Sequence, residues 1–305
     1  MDAVNSGTLT VAAPRWRGLG LISCVRWDEV LLQQGTPLFG ALFSIGTLTS
    51  AKACAVALLI AGGVFLVAHI FLLNDCCGAD EDVKVPNRCA SVFLSRGFLR
   101  ADVGYLCVVL LVLAFLLLAP LGLRTLLIAA GIAFVSALYS GPLLCGKGIP
   151  VLSSALHIVG GILHFLLGYS LFCSLDARGL ETGAFFALSF AAGHLTHEAR
   201  DREGDYGCGI QTNAVKFGAR RGFCAGLTLF TIAYALLVIL AWRGLVPRLL
   251  FLTGAIYPLH LYFSMRTLRD GLTFENIRRL QAHYRILYSV LGLLIAVSML
   301  PSLQP

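Results

Sequence analysis

Residues 51–82 read AKACAVALLIAGGVFLVAHIFLLNDCCGADED. From Ala51 to Leu73 only Lys52 and His69 interrupt an apolar run, long enough at the helical rise of about 1.5 Å per residue to cross the roughly 30 Å of a bilayer core. Directly after it come Asn74, Asp75, Asp80, Glu81 and Asp82. Carboxylates at the mouth of a membrane helix are costly unless something holds them there. The stretch therefore points to a membrane fold and, in the same breath, to a place where chemistry can occur.

Eight further apolar runs flank it, near Leu31 to Thr49, Ala101 to Leu121, Leu123 to Tyr139, Val151 to Leu175, Leu180 to His197, Gly222 to Trp242, Leu249 to Met265 and Leu287 to Leu300. Together they predict an all-α protein, a multi-pass transmembrane bundle of about nine helices. Composition agrees, because 305 residues that are 58% hydrophobic and 13% charged, with a mean hydropathy of +0.83, are too apolar for a soluble domain. Residues 31–305 read as one transmembrane domain. Residues 1–30 read as a cytoplasmic amino-terminal arm, with Arg15, Arg17 and Arg26 but no compact apolar core followed by a small-residue cleavage site. Of the ten cysteines, Cys54, Cys107, Cys173 and Cys224 fall inside apolar runs, and the adjacent Cys76 and Cys77 lack zinc-ligand spacing. Most are predicted to be small buried apolar residues rather than disulfide partners.

Lysine and arginine set the orientation, since positive loops stay cytoplasmic. The arm and the loops after the second, fourth, sixth and eighth runs hold 18 of the 23 basic residues; Lys52, Arg124, Arg178, Arg243 and Arg248 are on the other side. The formal charge of +7 thus concentrates on one membrane face, where it attracts anionic headgroups or an anionic substrate. Nucleic acid is excluded as a partner, because the basic residues are spread over membrane loops rather than gathered on a soluble module.

A second acidic cluster follows the sixth run: His194, His197, Glu198, Asp201, Glu203, Asp205. Glu198, Asp201 and Asp205 stand at i, i+3 and i+7, on one helical stripe. Asp75 and Asp82, seven residues apart, share a face in the same way if their helix continues. Stacked like charges repel, and a divalent cation relieves the conflict. Carboxylates with an amide oxygen suit a hard ion such as Mg²⁺, commonly completed by substrate phosphates. Lys84, Arg88, Lys147, Arg202 and Lys216 occupy the same loops and can hold phosphate oxygens. Singly, each cluster also reads as solvated loop charge; two clusters on one side, each at the end of a membrane helix, favour a site. The carboxylates gather at one face rather than the midplane, which disfavours a transporter.

These residues resemble the UbiA-type intramembrane prenyltransferases. That family carries NDxxDxxxD after its second helix and DxxxDxxGD or ExxDxxGD, then GxxTxxVxxG, after its sixth. Here Asn74, Asp75 and Asp82 match the first motif, and Glu198, Asp201, Gly204, Asp205, Gly209, Thr212, Val215 and Gly218 the second. Tyr139-Ser140-Gly141-Pro142 with Lys147 is similar to the YSxPP segment and its lysine, and the Tyr284 to Tyr288 stretch opening the last helix also agrees. Gly78 departs from the pattern, standing where the middle aspartate is expected, with Asp80 or Glu81 as substitutes if the helix unwinds; Arg88 is followed by Cys89 rather than proline, with Gly97 further on.

The resemblance implies a UbiA-like fold over about residues 35–300, a four-helix unit doubled and joined by a ninth helix. It implies Mg²⁺-dependent transfer of an isoprenyl group from an isoprenyl diphosphate to a hydrophobic acceptor, aromatic or lipid, within membrane lipid. Asp75 and Asp82 would bind one metal with Asn74 orienting it, and Glu198, Asp201 and Asp205 the other. Asp75, Asp82, Asp201 and Asp205 would carry catalysis, while Asn74, Arg88, Tyr139, Lys147 and Lys216 would meet the substrate. A terpene cyclase, a ribosyl-transferring relative and, given Gly78, a silent relative are the alternatives. His194 and His197, one turn before Glu198 and Asp201, read as their partners or as a base. His69, His157, His164 and His260, like Phe185, Phe186 and Phe190, read as packing.

Overall fold

The computed structural model describes residues 17–299; the first half of the expected arm and the end of the ninth run at Leu300 lie outside the described residues. The chain folds into α1 (Arg17–Ile22), α2 (Trp27–Gln33), α3 (Gly35–Ser44), α4 (Ser50–Asp82), α5 (Pro86–Cys89), α6 (Arg100–Leu118), α7 (Leu123–Ser140), α8 (Leu152–Tyr169), α9 (Ala177–Gly207), α10 (Asn213–Phe217), α11 (Ala219–Trp242), α12 (Thr253–Asp270) and α13 (Phe274–Ser298), with no strand among the described residues. Six of these, α4, α6 with its following turn, α7, α8, α11 and α13, are long and apolar enough to cross a membrane. The other three expected spans are helical too, but α3 has only 10 residues, α9 ends in charged turns and α12 is polar towards its end.

Two expected boundaries move. The run from Leu31 divides between α2 and α3 and ends at Ser44. The last helix starts at Phe274, well before the expected Leu287, because Thr273 caps it by accepting from Asn276 N and its first turns carry Glu275, Arg278 and Arg279, which hydropathy alone rejects. α4 and α9 keep going past their apolar runs, to 33 and 31 residues. Thr49 caps α4, and Asp176 caps α9 by accepting from Gly179 N at 2.8 Å.

In lipid, helices associate through close packing rather than hydrophobic burial, and α3 meets α8 where both offer glycine. A Cβ at Gly40 would overlap the Phe165 carbonyl, and one at Gly168 the Pro37 carbonyl. α9 packs on α8, α11 and α13, and α4 on α6 and α7. The second half of the arm is not free: Cys24, Val25 and Val30 are buried with Val67, Leu72, Val103 and Cys107. All ten cysteines are unpaired, but only Cys24 and Cys107 are buried; the rest sit on helix faces or loops that packing leaves partly open.

The bundle has two distinct ends. At one, Lys52 donates to Thr47 O, Arg124 to Cys173 O and Arg178 to Leu245 O, and Arg243 pairs with Glu181. The ends of α4 and α9 and the start of α13 meet at the other.

Candidate active site

α4 stays helical through Asp82, so Asp75, Gly78 and Asp82 lie along one stripe, as the seven-residue spacing predicts. Asp80 points the other way, exposed and paired with Arg100 at 2.6 Å. Glu81 remains on the helix, its carbonyl accepting from Cys208 Sγ at 3.3 Å. With no unwinding, Asp80 does not replace the carboxylate missing at Gly78. The space beside Gly78 is taken instead by Lys147: a Cβ there would lie 2.9 Å from Lys147 Nζ and 3.5 Å from Asp82 Oδ2.

Arg88 joins the two acidic clusters. Its guanidinium reaches Asp82 Oδ1 at 2.8 Å, Asp201 Oδ2 at 3.2 Å and Asp205 Oδ1 at 3.2 Å, although Asp205 is 117 residues away. The approach depends on Gly204, where a Cβ would sit 3.1 Å from Val85 in the strap leading to Arg88. Arg200 donates twice to Asp201, at 2.7 and 2.8 Å, and a third time to Gln281 on α13 at 2.7 Å. Burial pushes the Asp201 carboxyl upward, but the bonds and charge of Arg200 and the charge of Arg88 outweigh it and hold Asp201 below its ordinary value. Asp205 lacks that second arginine; burial, with Asp201 adding repulsion against the pull of Arg88, raises it to about 6.

The remaining expected ligands are engaged elsewhere. Asp75 is bound by Arg26, whose Nε donates at 3.1 Å and whose second nitrogen contacts the other oxygen. Glu198 is buried, one turn deeper than Asp201; it accepts from Ser153 Oγ at 3.1 Å, Asn213 N at 3.1 Å and Asn213 Nδ2 at 3.2 Å. The spacing places Glu198 on the acidic stripe, and its oxygens accept from Ser153 and Asn213 rather than joining the Arg88 cluster. Lys216 is exposed on α10 and makes none of the contacts that join the clusters. Asn74 accepts from Ser140 Oγ at 3.3 Å.

Tyr139 packs edge-on to His157 at 4.8 Å and His194 at 6.0 Å, and the two imidazoles stack at 3.6 Å. His194 Nε2 lies 3.0 Å from Glu198 Oε1. Tyr139 thus lines the layer beneath the carboxylates, and His157, expected to be packing, belongs to the same layer.

The motif after α9 proves structural. Gly209 and Gly218 take positive φ, which glycine tolerates at no steric cost, and Thr212 caps α10 by accepting from Val215 N. That turn delivers Asn213, which also accepts from Val151 N at 2.7 Å and so holds the left-handed φ of +68° at Val151. Arg26, Ser153, Arg200 and Asn213 went unassigned in the sequence. Only Asn213 had a signal, its place inside the second motif.

Residues 36–281 match the sequence profile of the UbiA prenyltransferase family. The chain belongs to that family. No curated protein sequence matches it. Among solved structures, a UbiA homolog from Archaeoglobus fulgidus bound to GPP and Mg²⁺ is 17% identical, covering 91% of this chain and 99% of its own at a TM-score of 0.70. A structure of digeranylgeranylglyceryl phosphate synthase is 18% identical, covering 93% and 98% at 0.69. The apo UbiA homolog from Aeropyrum pernix K1 is 17% identical, covering 90% and 98% at 0.68. At these identities the likeness is one of fold, and the UbiA fold here is an integral membrane helical bundle.

Whether this UbiA site fits Mg²⁺ is answered by its donors. Asp82, Asp201 and Asp205 supply hard carboxylate oxygens from two helices converging on one point, as such an ion requires. Among the described residues, no three His, Cys, Asp or Glu groups stand in metal-holding geometry; Arg88 lies between Asp82, Asp201 and Asp205. The donor chemistry of the three carboxylates suits a hard ion, though they are not arranged around one here.

Proposed function

We propose that this UbiA-family chain transfers an isoprenyl group from an isoprenyl diphosphate, with Mg²⁺, to a hydrophobic acceptor within the membrane. The observation that carries the reading is the convergence of Asp82 from α4 with Asp201 and Asp205 from α9 on a single guanidinium, beside the Lys147 ammonium. Two acidic helix ends that need an external cation, flanked by movable cations, match the charge of a metal diphosphate.

Asp82, Asp201 and Asp205 would hold Mg²⁺, with Asp75 and Asn74 joining once Asp75 leaves Arg26. When bound, Mg²⁺ neutralises charge that develops on the leaving diphosphate. Arg88 turns from carboxylates to phosphate oxygens, the ammonium of Lys147 reaches them too, and Arg200 keeps Asp201 ionised and oriented. Glu198 has a different task from the expected ligation: with Asn213 and Ser153 it locks α9, α10 and α8 together beneath the site. Tyr139 lines the wall along which the allylic end would lie, with the tail running between helices towards lipid. The site end faces the cytoplasm on this reading, supported by the 18 of 23 basic residues on that side.

The test is diphosphate release by purified protein in detergent, given geranylgeranyl diphosphate with and without Mg²⁺, beside Asp201→Ala. Release that needs both Mg²⁺ and Asp201 is the expected result, and product analysis separates transfer from internal cyclisation. Absence of release across donor lengths and acceptors overturns the proposal.

A further inference from the structure

Beside the acidic site, on its α13 flank, lies a second cavity of about 620 Å³ lined by Arg88, Arg200, Asp201, Arg278, Gln281 and Arg285 among others. Its lining carries four guanidinium groups and one carboxylate, with Arg88 further held by Asp82 and Asp205 outside it. Arg200 is committed to Asp201 and Gln281, and Arg278 has only a loose contact with Glu275 at 3.9 Å. Arg285 has no carboxylate within ion-pair distance among the described residues. Gln281 Nε2 is buried and lacks a hydrogen-bond partner, a donor that a native site normally satisfies. The cavity therefore presents several directed N–H groups and too few acceptors to meet them.

Arg278, Ala282 and Arg285 recur at the helical spacing of one face of α13, so the cavity opens along that helix. Immediately beyond it the same helix becomes lipid-like: Ile286 is 64% exposed, Val290 49% and Leu293 65%. A polar anion-binding mouth continuing into an exposed apolar stripe has the shape of a lipid, with its headgroup in the mouth and its chain on the stripe. A phosphate monoester matches the guanidinium forks with several strong acceptor oxygens, which a neutral hydroxyl does not.

We propose that this cavity binds the phosphate headgroup of a lipid second substrate, holding it against the donor site with which it shares Arg88 and Asp201. This rests on the prenyl-transfer reading of the neighbouring site. In the step it serves, a hydroxyl of the lipid forms a C–O bond to the donor's allylic carbon as the bond to diphosphate breaks. The diphosphate leaves with the electron pair and takes up the hydroxyl proton.

The test uses full-length protein in detergent without donor or Mg²⁺, so that it reads the cavity even if prenyl transfer fails. Thermal stabilisation by lysophosphatidic acid, by uncharged monoolein and by inorganic phosphate is compared in wild type, the Arg278→Gln/Arg285→Gln double variant and Arg221→Gln, an exposed arginine outside the cavity. Lysophosphatidic acid stabilises wild type and Arg221→Gln, the double variant needs at least tenfold more of it, and monoolein has no effect. Inorganic phosphate acts through the same arginines at least tenfold more weakly. Equal response to monoolein, or stabilisation that survives the double substitution, overturns the proposal; phosphate acting as well as the lipid overturns its lipid part and leaves a soluble-anion site. Diphosphate release, assayed separately, reports on the prenyl-transfer reading alone.

Discussion

Replacing Arg88 with alanine separates two roles that the structure superimposes. Arg88 touches Asp82, Asp201 and Asp205 at 2.8 to 3.2 Å, at the point where the proposed function would seat a metal. Its side chain is 27% exposed, and those of Asp82 and Asp201 20% and 17%, so each contact is discounted for solvent and contributes about 0.5 to 1 kcal/mol. Three contacts sum to about 2 kcal/mol that an incoming ion must offset. At 1.4 kcal/mol per decade that is roughly a thirtyfold weakening of apparent Mg²⁺ affinity. Arg88→Ala is therefore expected to be less stable than wild type without metal and to gain about 2 kcal/mol more from saturating Mg²⁺. The extra gain corresponds to a melting shift on the order of 3 °C for a chain of this size. Differential scanning fluorimetry in detergent with chelator or graded Mg²⁺, and no substrate, reads it directly. Arg88→Lys, with charge but no fork, falls between. Should Mg²⁺ stabilise Arg88→Ala no more than wild type, Arg88 is not holding the metal's place and the shared site is wrong.

Asn213→Ala strips two polar contacts from a buried carboxylate layer and frees Val151 N; a loss of about 2 to 4 kcal/mol in denaturant unfolding is expected, and a change under 0.5 kcal/mol contradicts the locking role of Glu198. Gly168→Val drives a side chain into the Pro37 carbonyl and should cost about 3 kcal/mol or prevent folding, read as lost yield or melting temperature, with Gly97→Ala, where the space is open but φ is positive, milder. Because Asp205 is raised to about 6 in the fold, its favourable contribution is complete below its ordinary value of 3.8 and is lost as pH climbs through about 6. Without Mg²⁺, Asp205→Asn should accordingly gain on wild type between pH 4 and pH 7 in melting scans, and a constant difference across that range refutes the assignment. Gly78→Asp meets the flexible end of Lys147, with Asp82 Oδ2 at ordinary contact distance, so the fold should survive with a stability change below about 1 kcal/mol; a loss above 3 kcal/mol means that the space is not adjustable.

Hydropathy exposed most of the helical frame because apolar length is a local property, and it failed where a helix is half polar. The charged first turns of α13 cost the sequence reading that half of the helix, and with it the cavity that Arg278 and Arg285 line. Motif spacing behaved similarly. Positions i, i+3 and i+7 correctly put Glu198, Asp201 and Asp205 on one stripe, but spacing does not say which residues of other helices surround each position. Glu198 lies one turn deeper, where Asn213 and Ser153 reach it. The pairing of Arg26 with Asp75, 49 residues apart, has no local signature, since only folding of the arm onto α4 and α6 creates it.

Gly78 shows how a departure from a family pattern changes the division of labour at a site. An aspartate there would add a carboxylate between Asp75 and Asp82 and would lie against Lys147 Nζ, which it would then neutralise. Glycine leaves the metal side one oxygen donor poorer and the lysine one counter-charge freer. Since Asp82 also answers to Arg88, Lys147 is the less committed of the two cations and the readier to take a phosphate oxygen. On the proposed function, part of the diphosphate's charge would thereby be met by an ammonium rather than through a metal. An ammonium is a compact charge on a flexible stem and places weaker geometric demands on its ligand than an ion needing octahedral oxygen donors. On the proposed function, Lys147, which the family pattern already places here, would offset on the phosphate side part of what Gly78 removes on the metal side.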